Sequence, residues 1–176
     1  VLTADDLLAI VKSQATGSRL DAIAGRRHVQ APVAAAIVEV AREPVVAKLV
    51  ANPGAEIAEP TLHRVIDRFG ESEAVQEPMI QRATLPVTIA ERLVNCVADH
   101  LRGHLLAKHG ISADVAADIV LQSRERATVG LAMGVADEGI SALVNQLKAA
   151  GRLTASLVLR AVCMGNLRFF EHAVSA

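Results

Sequence analysis

A chain of 176 residues with 18 Lys and Arg against 19 Asp and Glu has a formal net charge of −1, which argues against a general nucleic-acid binder. Hydrophobic residues make up 52% and aromatics 2%, with three Phe and no Trp or Tyr. Ala, Val and Leu must therefore fill the core, a composition that favours closely packed helices over a sheet and excludes disorder.

In chain order, Thr3 is the expected N-cap of a first helix, Ala4–Lys12, with Asp5 and Asp6 at the positive end of its dipole. Gly17 and Ser18 restart the chain, and Leu20, Ile23 and Ala24 share a face. Pro32 suits a helix start, and Val33, Ile37, Val40 and Ala41 form the next expected stripe. The stretch Val45–Phe69 then reads as the end of one short helix, a turn at Asn52-Pro53-Gly54, and a second helix. That second helix carries Leu62, Val65, Ile66 and Phe69 at i, i+3, i+4 and i+7. Neither helix can bury its face alone, so stacked helix pairs are expected.

The punctuation repeats. Glu43-Pro44-Val45-Val46 returns as Glu77-Pro78-Met79-Ile80 and, more weakly, as Asp99-His100-Leu101-Arg102, with spacings of 34 and 22 residues. Their average approaches a helix-pair repeat. Pro78 must kink a helix beginning at Ser72 or mark a later start. After Pro86 the pattern predicts one helix over Val87–His109, with Ala90, Leu93, Val97, Leu101 and Leu105 on one side and Gly110 as its stop. Ser112 should cap Ala113 to about Arg126, with Val115, Ile119 and Val120 inward. Thr128–Ala136 reads as a kink or loop. Ile140, Leu143, Val144 and Leu147 form another inward face, closed by Gly151. Thr154 caps Ala155–Met164, and Asn166 caps a last helix bearing Phe169 and Phe170. Adjacent residues point about 100° apart on a helix. One Phe should anchor the helix, and the other should join an exposed patch available as a homodimer contact.

The middle of the chain, VVAKLVANPGAEIAEPTLHRVIDRFGESEAVQEPMIQRATLPVTIAERLV, resembles bacterial HEAT-like or leucine-rich-variant helical repeats. The tail, GRLTASLVLRAVCMGNLRFFEHAV, is similar to the end of the uncharacterised bacterial family called domain of unknown function 2336. The Arg152-Leu153-Thr154 opening and the Phe169-Phe170-Glu171 close carry that similarity, which covers most of Gly25–Val174. It implies an all-α, HEAT-like superhelical stack of short antiparallel helix pairs and no particular activity. Residues 1–110 are read as the repeats and 111–176 as a helical segment continuing the stack within one domain.

Chemistry-bearing patterns are sparse. Cys96, His100 and His104 are spaced i, i+4, i+8, a spacing that can supply zinc ligands, but no fourth ligand is evident. His100 or His104 would also suit phosphotransfer, yet no ATP-binding motif accompanies them. GxxxxGK[ST], GxGxxG, GxSxG and HExxH are missing, and no cofactor is expected. The 34- and 22-residue spacings align Lys48 with Arg82 and His104, an expected cationic ladder on one face. Such a ladder suits an acidic helix or tail of a protein partner.

The reading is thus a non-enzymatic protein-interaction module, a regulatory piece of a larger cytoplasmic bacterial signalling protein. It has no apolar run near the roughly 18 residues that cross a bilayer. The opening VLTADDLLAI lacks the basic and apolar regions of a signal peptide. Two cysteines, Cys96 and Cys163, sit in separate helical segments and form no paired motif, a usage that suits a reducing compartment. The rivals are a histidine phosphotransfer or metal-sensing domain and a HEAT-like nucleic-acid-processing protein. The last is disfavoured by the lack of Trp and Tyr to stack a base.

Overall fold

The computed structural model describes residues 2–13, 17–109 and 112–176, apart from the side chains of residues 104, 105 and 107–109. These residues form eleven helices and no strand; an isolated parallel bridge joins Val29 and Ala55. The chain divides into two compact units, Val1–Leu85 and Pro86–Ala176. The division expected at residue 110 instead falls between two helices that pack on each other inside the second unit.

The first unit holds α1 (Ala4–Lys12), α2 (Gly17–Ala24), α3 (Ala31–Val40), α4 (Glu43–Ala51), α5 (Glu59–Phe69) and α6 (Glu73–Ile80). Contacts skip one helix: α1 packs on α3 and α3 on α5, while α2 packs on α4 and α4 on α6. The first helices of the pairs begin 27 and 28 residues apart, the second helices 26 and 30. The repeat is therefore near 28 residues. The proline-based register of 34 and 22 fails because Pro44 lies at the start of α4 whereas Pro78 lies inside α6. A proline near a helix start fits the missing N–H; one inside removes an i→i−4 bond. The helix begins at Glu73 all the same and ends two residues beyond Pro78.

Thr3 closes α1 with a capping box: its hydroxyl accepts from the Asp6 N–H, and the Asp6 carboxylate accepts from the Thr3 N–H at 2.8 Å. The Thr3 N–H and, after it, the Thr3 hydroxyl donate to the Asp6 carboxylate and hold it below its usual range. Leu62, Val65 and Ile66 are buried as the spacing requires, and the half-buried Phe69 lies under the Arg68 guanidinium at 4.8 Å. Val33, Ile37 and Ala41 are buried as well, but Val40 is exposed.

The second unit holds α7 (Val87–His109), α8 (Ala113–Leu131), α9 (Asp137–Ala149), α10 (Ala155–Cys163) and α11 (Leu167–Ser175). Here α7 packs on α9, α9 on α11 and α8 on α10, but the most extensive packing joins consecutive helices, α7 with α8 and α10 with α11. Its core joins Ile140, Leu143, Val144 and Leu147 of α9 to Leu157, Ala161 and Phe169. Phe169 is fully buried and Phe170 packs against the same cluster at its edge, so Phe170 adds little to any exposed patch. Asn166 is buried: its Oδ1 accepts from the Phe169 N–H, and its Nδ2 donates to the Val129 carbonyl, tying α11 to α8. Arg168 and His172 of α11 face Asp137 of α9; the Arg168 hydrogen bond is the main cause that holds the Asp137 carboxyl below its usual range.

Three expectations for this unit change. α8 runs on to Leu131, so the first four residues of the stretch read as a kink or loop are helix, and the turn follows them, with Gly134 at φ +81°. Val97 and Leu101 of α7 are exposed rather than inward, as are Val115 and Ile119 of α8. The expected stop at Gly110 and the Leu105 side chain lie outside the described residues.

Gly54 offers a test of the first unit. Its carbonyl accepts from the Val29 N–H at 3.1 Å, and a Cβ there would overlap the Arg27 carbonyl. Gly54→Ala should destabilise this unit by about 1–3 kcal/mol. Gly17→Ala, where nothing lies within 4 Å, should be neutral or slightly stabilising. Denaturant midpoints of the two variants check the contrast.

Candidate functional sites

The expected cationic ladder is not assembled. Lys48 projects from α4, but its ammonium pairs with Asp21 of α2 at 2.6 Å. Arg82 follows α6 rather than lying on it. Its guanidinium donates to the carbonyls of Val50 at 2.8 Å and Ala55 at 2.9 Å, closing the C-terminal end of α4. Partial burial lowers the Arg82 pKa by desolvation, yet Arg remains charged throughout the physiological range. A repeat near 28 residues also places the structural counterpart of Lys48 close to Pro78, not at Arg82. The His104 side chain lies outside the described residues. The same holds for testing Cys96, His100 and His104 as a ligand set. Among the described residues no three His, Cys, Asp or Glu side chains are grouped to hold a metal ion.

Two other features stand out, both in the second unit. The first is apolar. α7 and α8 have 23 and 19 residues, whereas the other helices have 8 to 13. Between residues 97 and 119, Ala116 is the one described side chain that is buried. Val97 and Leu101 are 45% and 49% exposed, and Val115 and Ile119 are 50% and 45% exposed. Each pair is spaced i, i+4, so each forms a two-residue ridge on its helix.

The second feature is a cleft of about 180 Å³ between α7, α8 and the α9–α10 connection, lined by charged side chains and by Leu121, Leu147 and Leu157. Two carboxylates line it, Glu91 at 0% and Glu125 at 5% exposure. Buried carboxylates are rare unless paired, and both are. Arg152 grips Glu91 with both terminal nitrogens, at 2.7 and 3.1 Å. Gln146 and Asn95 each donate to Glu91 as well. Glu125 accepts from Arg160 Nε at 2.9 Å and from the hydroxyls of Ser156 and Thr154. Arg124, also lining the cleft, reaches Asp99 only at 3.9 Å. Asn95 Oδ1 is enclosed without a protein donor. Sequence reasoning missed this cleft because Glu91 and Glu125 resemble ordinary helix-surface acids; their arginine partners lie 61 and 35 residues away.

Arg82→Met should cost about 1–3 kcal/mol, because it leaves the Val50 carbonyl at the end of α4 and the Ala55 carbonyl in the following connection without their donor. Lys48→Ala should cost about 0–1 kcal/mol, as befits an exposed pair. Equal effects in urea unfolding would contradict these assignments.

No helix among the described residues is long and apolar enough to cross a membrane. No curated protein and no solved structure matches this chain. A family model does match, over residues 1–176, and the chain belongs to the family it describes, "Uncharacterised protein conserved in bacteria (DUF2336)".

Proposed function

We propose that this chain is a non-enzymatic protein-interaction module, a HEAT-like stack of helix pairs serving as a regulatory part of a larger cytoplasmic bacterial signalling protein. The observation that carries the reading is the apolar surface on the far halves of α7 and α8, where Val97, Leu101, Val115 and Ile119 stand about half exposed. Large aliphatic side chains left exposed at i, i+4 along a helix suit an interaction surface. The partner class that fits is an amphipathic helix, whose apolar face would cover such ridges. Arg102 beside Leu101 and Asp118 beside Ile119 are exposed, and they would meet charges on the rim of that helix.

The HEAT-like reading rests on the alternate packing of helices and on the near-28-residue repeat in the first unit. The cytoplasmic reading rests on Cys96 and Cys163, neither of which is in a disulfide.

The double variant Leu101→Glu with Ile119→Glu tests the site. Because both residues are exposed, stability should change by only about half a kcal/mol each. Affinity for a partner isolated from the native host should fall at least tenfold, as measured by calorimetry with the purified pair. Unchanged affinity at unchanged melting temperature would exclude the hairpin as the binding surface.

A further inference from the structure

We infer that the cleft around Glu91 and Glu125 binds a small oxyanion, the carboxylate or phosphate group of a compact molecule. The two carboxylates that line it do not repel such a ligand strongly. Glu91 is matched by the bidentate Arg152, and Glu125 by Arg160. Arg124 is the additional arginine in the lining, and its guanidinium has Asp99, outside the lining, as its counter-charge at 3.9 Å. That distance exceeds a hydrogen bond, and the Asp99 side chain is 67% exposed. An incoming oxyanion can displace so loosely held and well-hydrated a carboxylate.

The donors suit the task. A guanidinium has five N–H groups in a planar fork that matches a carboxylate or phosphate. Arg152 directs one N–H from each terminal nitrogen at Glu91, so three others are uncommitted to that carboxylate. The 180 Å³ volume limits the ligand. It falls below the roughly 300–1,000 Å³ typical of pockets for drug-sized molecules, so an acid of a few carbons or a phosphate group fits and a nucleotide does not.

Calorimetric titration of the full chain with inorganic phosphate, and separately with propionate, tests the inference against chloride at matched ionic strength. Saturable binding of at least one anion is expected. Phosphate alone assigns the phosphate source, propionate alone the carboxylate source, and both a general oxyanion site. Arg124→Gln should weaken binding about ten- to a hundredfold while leaving the circular dichroism unchanged. Asp99→Asn removes the competing carboxylate and should tighten binding, which keeps the test decisive if Arg124→Gln fails to fold. Arg19→Gln, an exposed change on α2 in the first unit, should bind as the wild type does. No saturable heat with either anion overturns the inference. So does undiminished affinity in a folded Arg124→Gln, or unaltered affinity in Asp99→Asn.

Discussion

Short helices leave a large share of their backbone carbonyls without intrahelical partners, and the first unit is organised around supplying those partners. The last four carbonyls of any α-helix lack an N–H within the helix, and the helices here have only 8 to 11 residues. The partners come from one repeat further along. Asn52 donates to the carbonyls of Ala24 and Arg26 at the end of α2. Arg68 donates to those of Val38 and Ala41 at the end of α3. Arg82 donates to that of Val50 at the end of α4 and to that of Ala55 in the connection that follows. The separations run from 26 to 32 residues, which is the structural period itself. Each pair thus terminates the helices of its predecessor, and the apolar stripes then need only fill the space between layers.

The second unit solves the same problem of fixing one helix against another with buried charge. Glu91 on α7 draws in Gln146 from α9 and Arg152 from the following loop. Glu125 on α8 draws in Thr154, Ser156 and Arg160 from the start of α10. Replacing such pairs with apolar residues often leaves stability unchanged or raises it, whereas removing one partner is costly. Their advantage here is directional. An apolar face of Ala, Val and Leu can slide by a turn at little cost, but a bidentate arginine on a buried carboxylate has one register.

How much of this was legible in the sequence depends on whether a feature is local. Thr3, Ser112, Thr154 and Asn166 were readable as caps because a cap acts within three residues of itself, and all four accept the expected N–H. The stripe Ile140, Leu143, Val144 and Leu147 was readable because helices lie on both sides of α9. The same spacing misled for Val97, Leu101, Val115 and Ile119. Periodicity identifies an apolar face but not whether anything covers it. The repeat register was lost for a related reason: proline is tolerated at a helix start and, at a cost, inside one, so Pro44 and Pro78 look alike in sequence without being equivalent in structure.

The functional residues divide along the same line. Lys48 and Arg82 attracted notice as regularly spaced cations, yet regular spacing in a repeat protein is also what a structural cap must have. A residue that closes the end of its neighbour's helix recurs once per repeat whether or not anything binds. The period therefore marks the parts of a stack that hold it together, and departures from the period are better pointers to function. In this chain the departures are the lengthened α7 and α8 and the two carboxylates enclosed on them. Lengthening two adjacent helices adds surface that the repeat does not require, and that added surface carries the exposed apolar ridges. Enclosing two acids on the same pair, close to Arg124, puts a cleft on the helices that carry the ridges. A ligand in that cleft would bear on α8 through Arg124 and on the α9–α10 connection through Arg152.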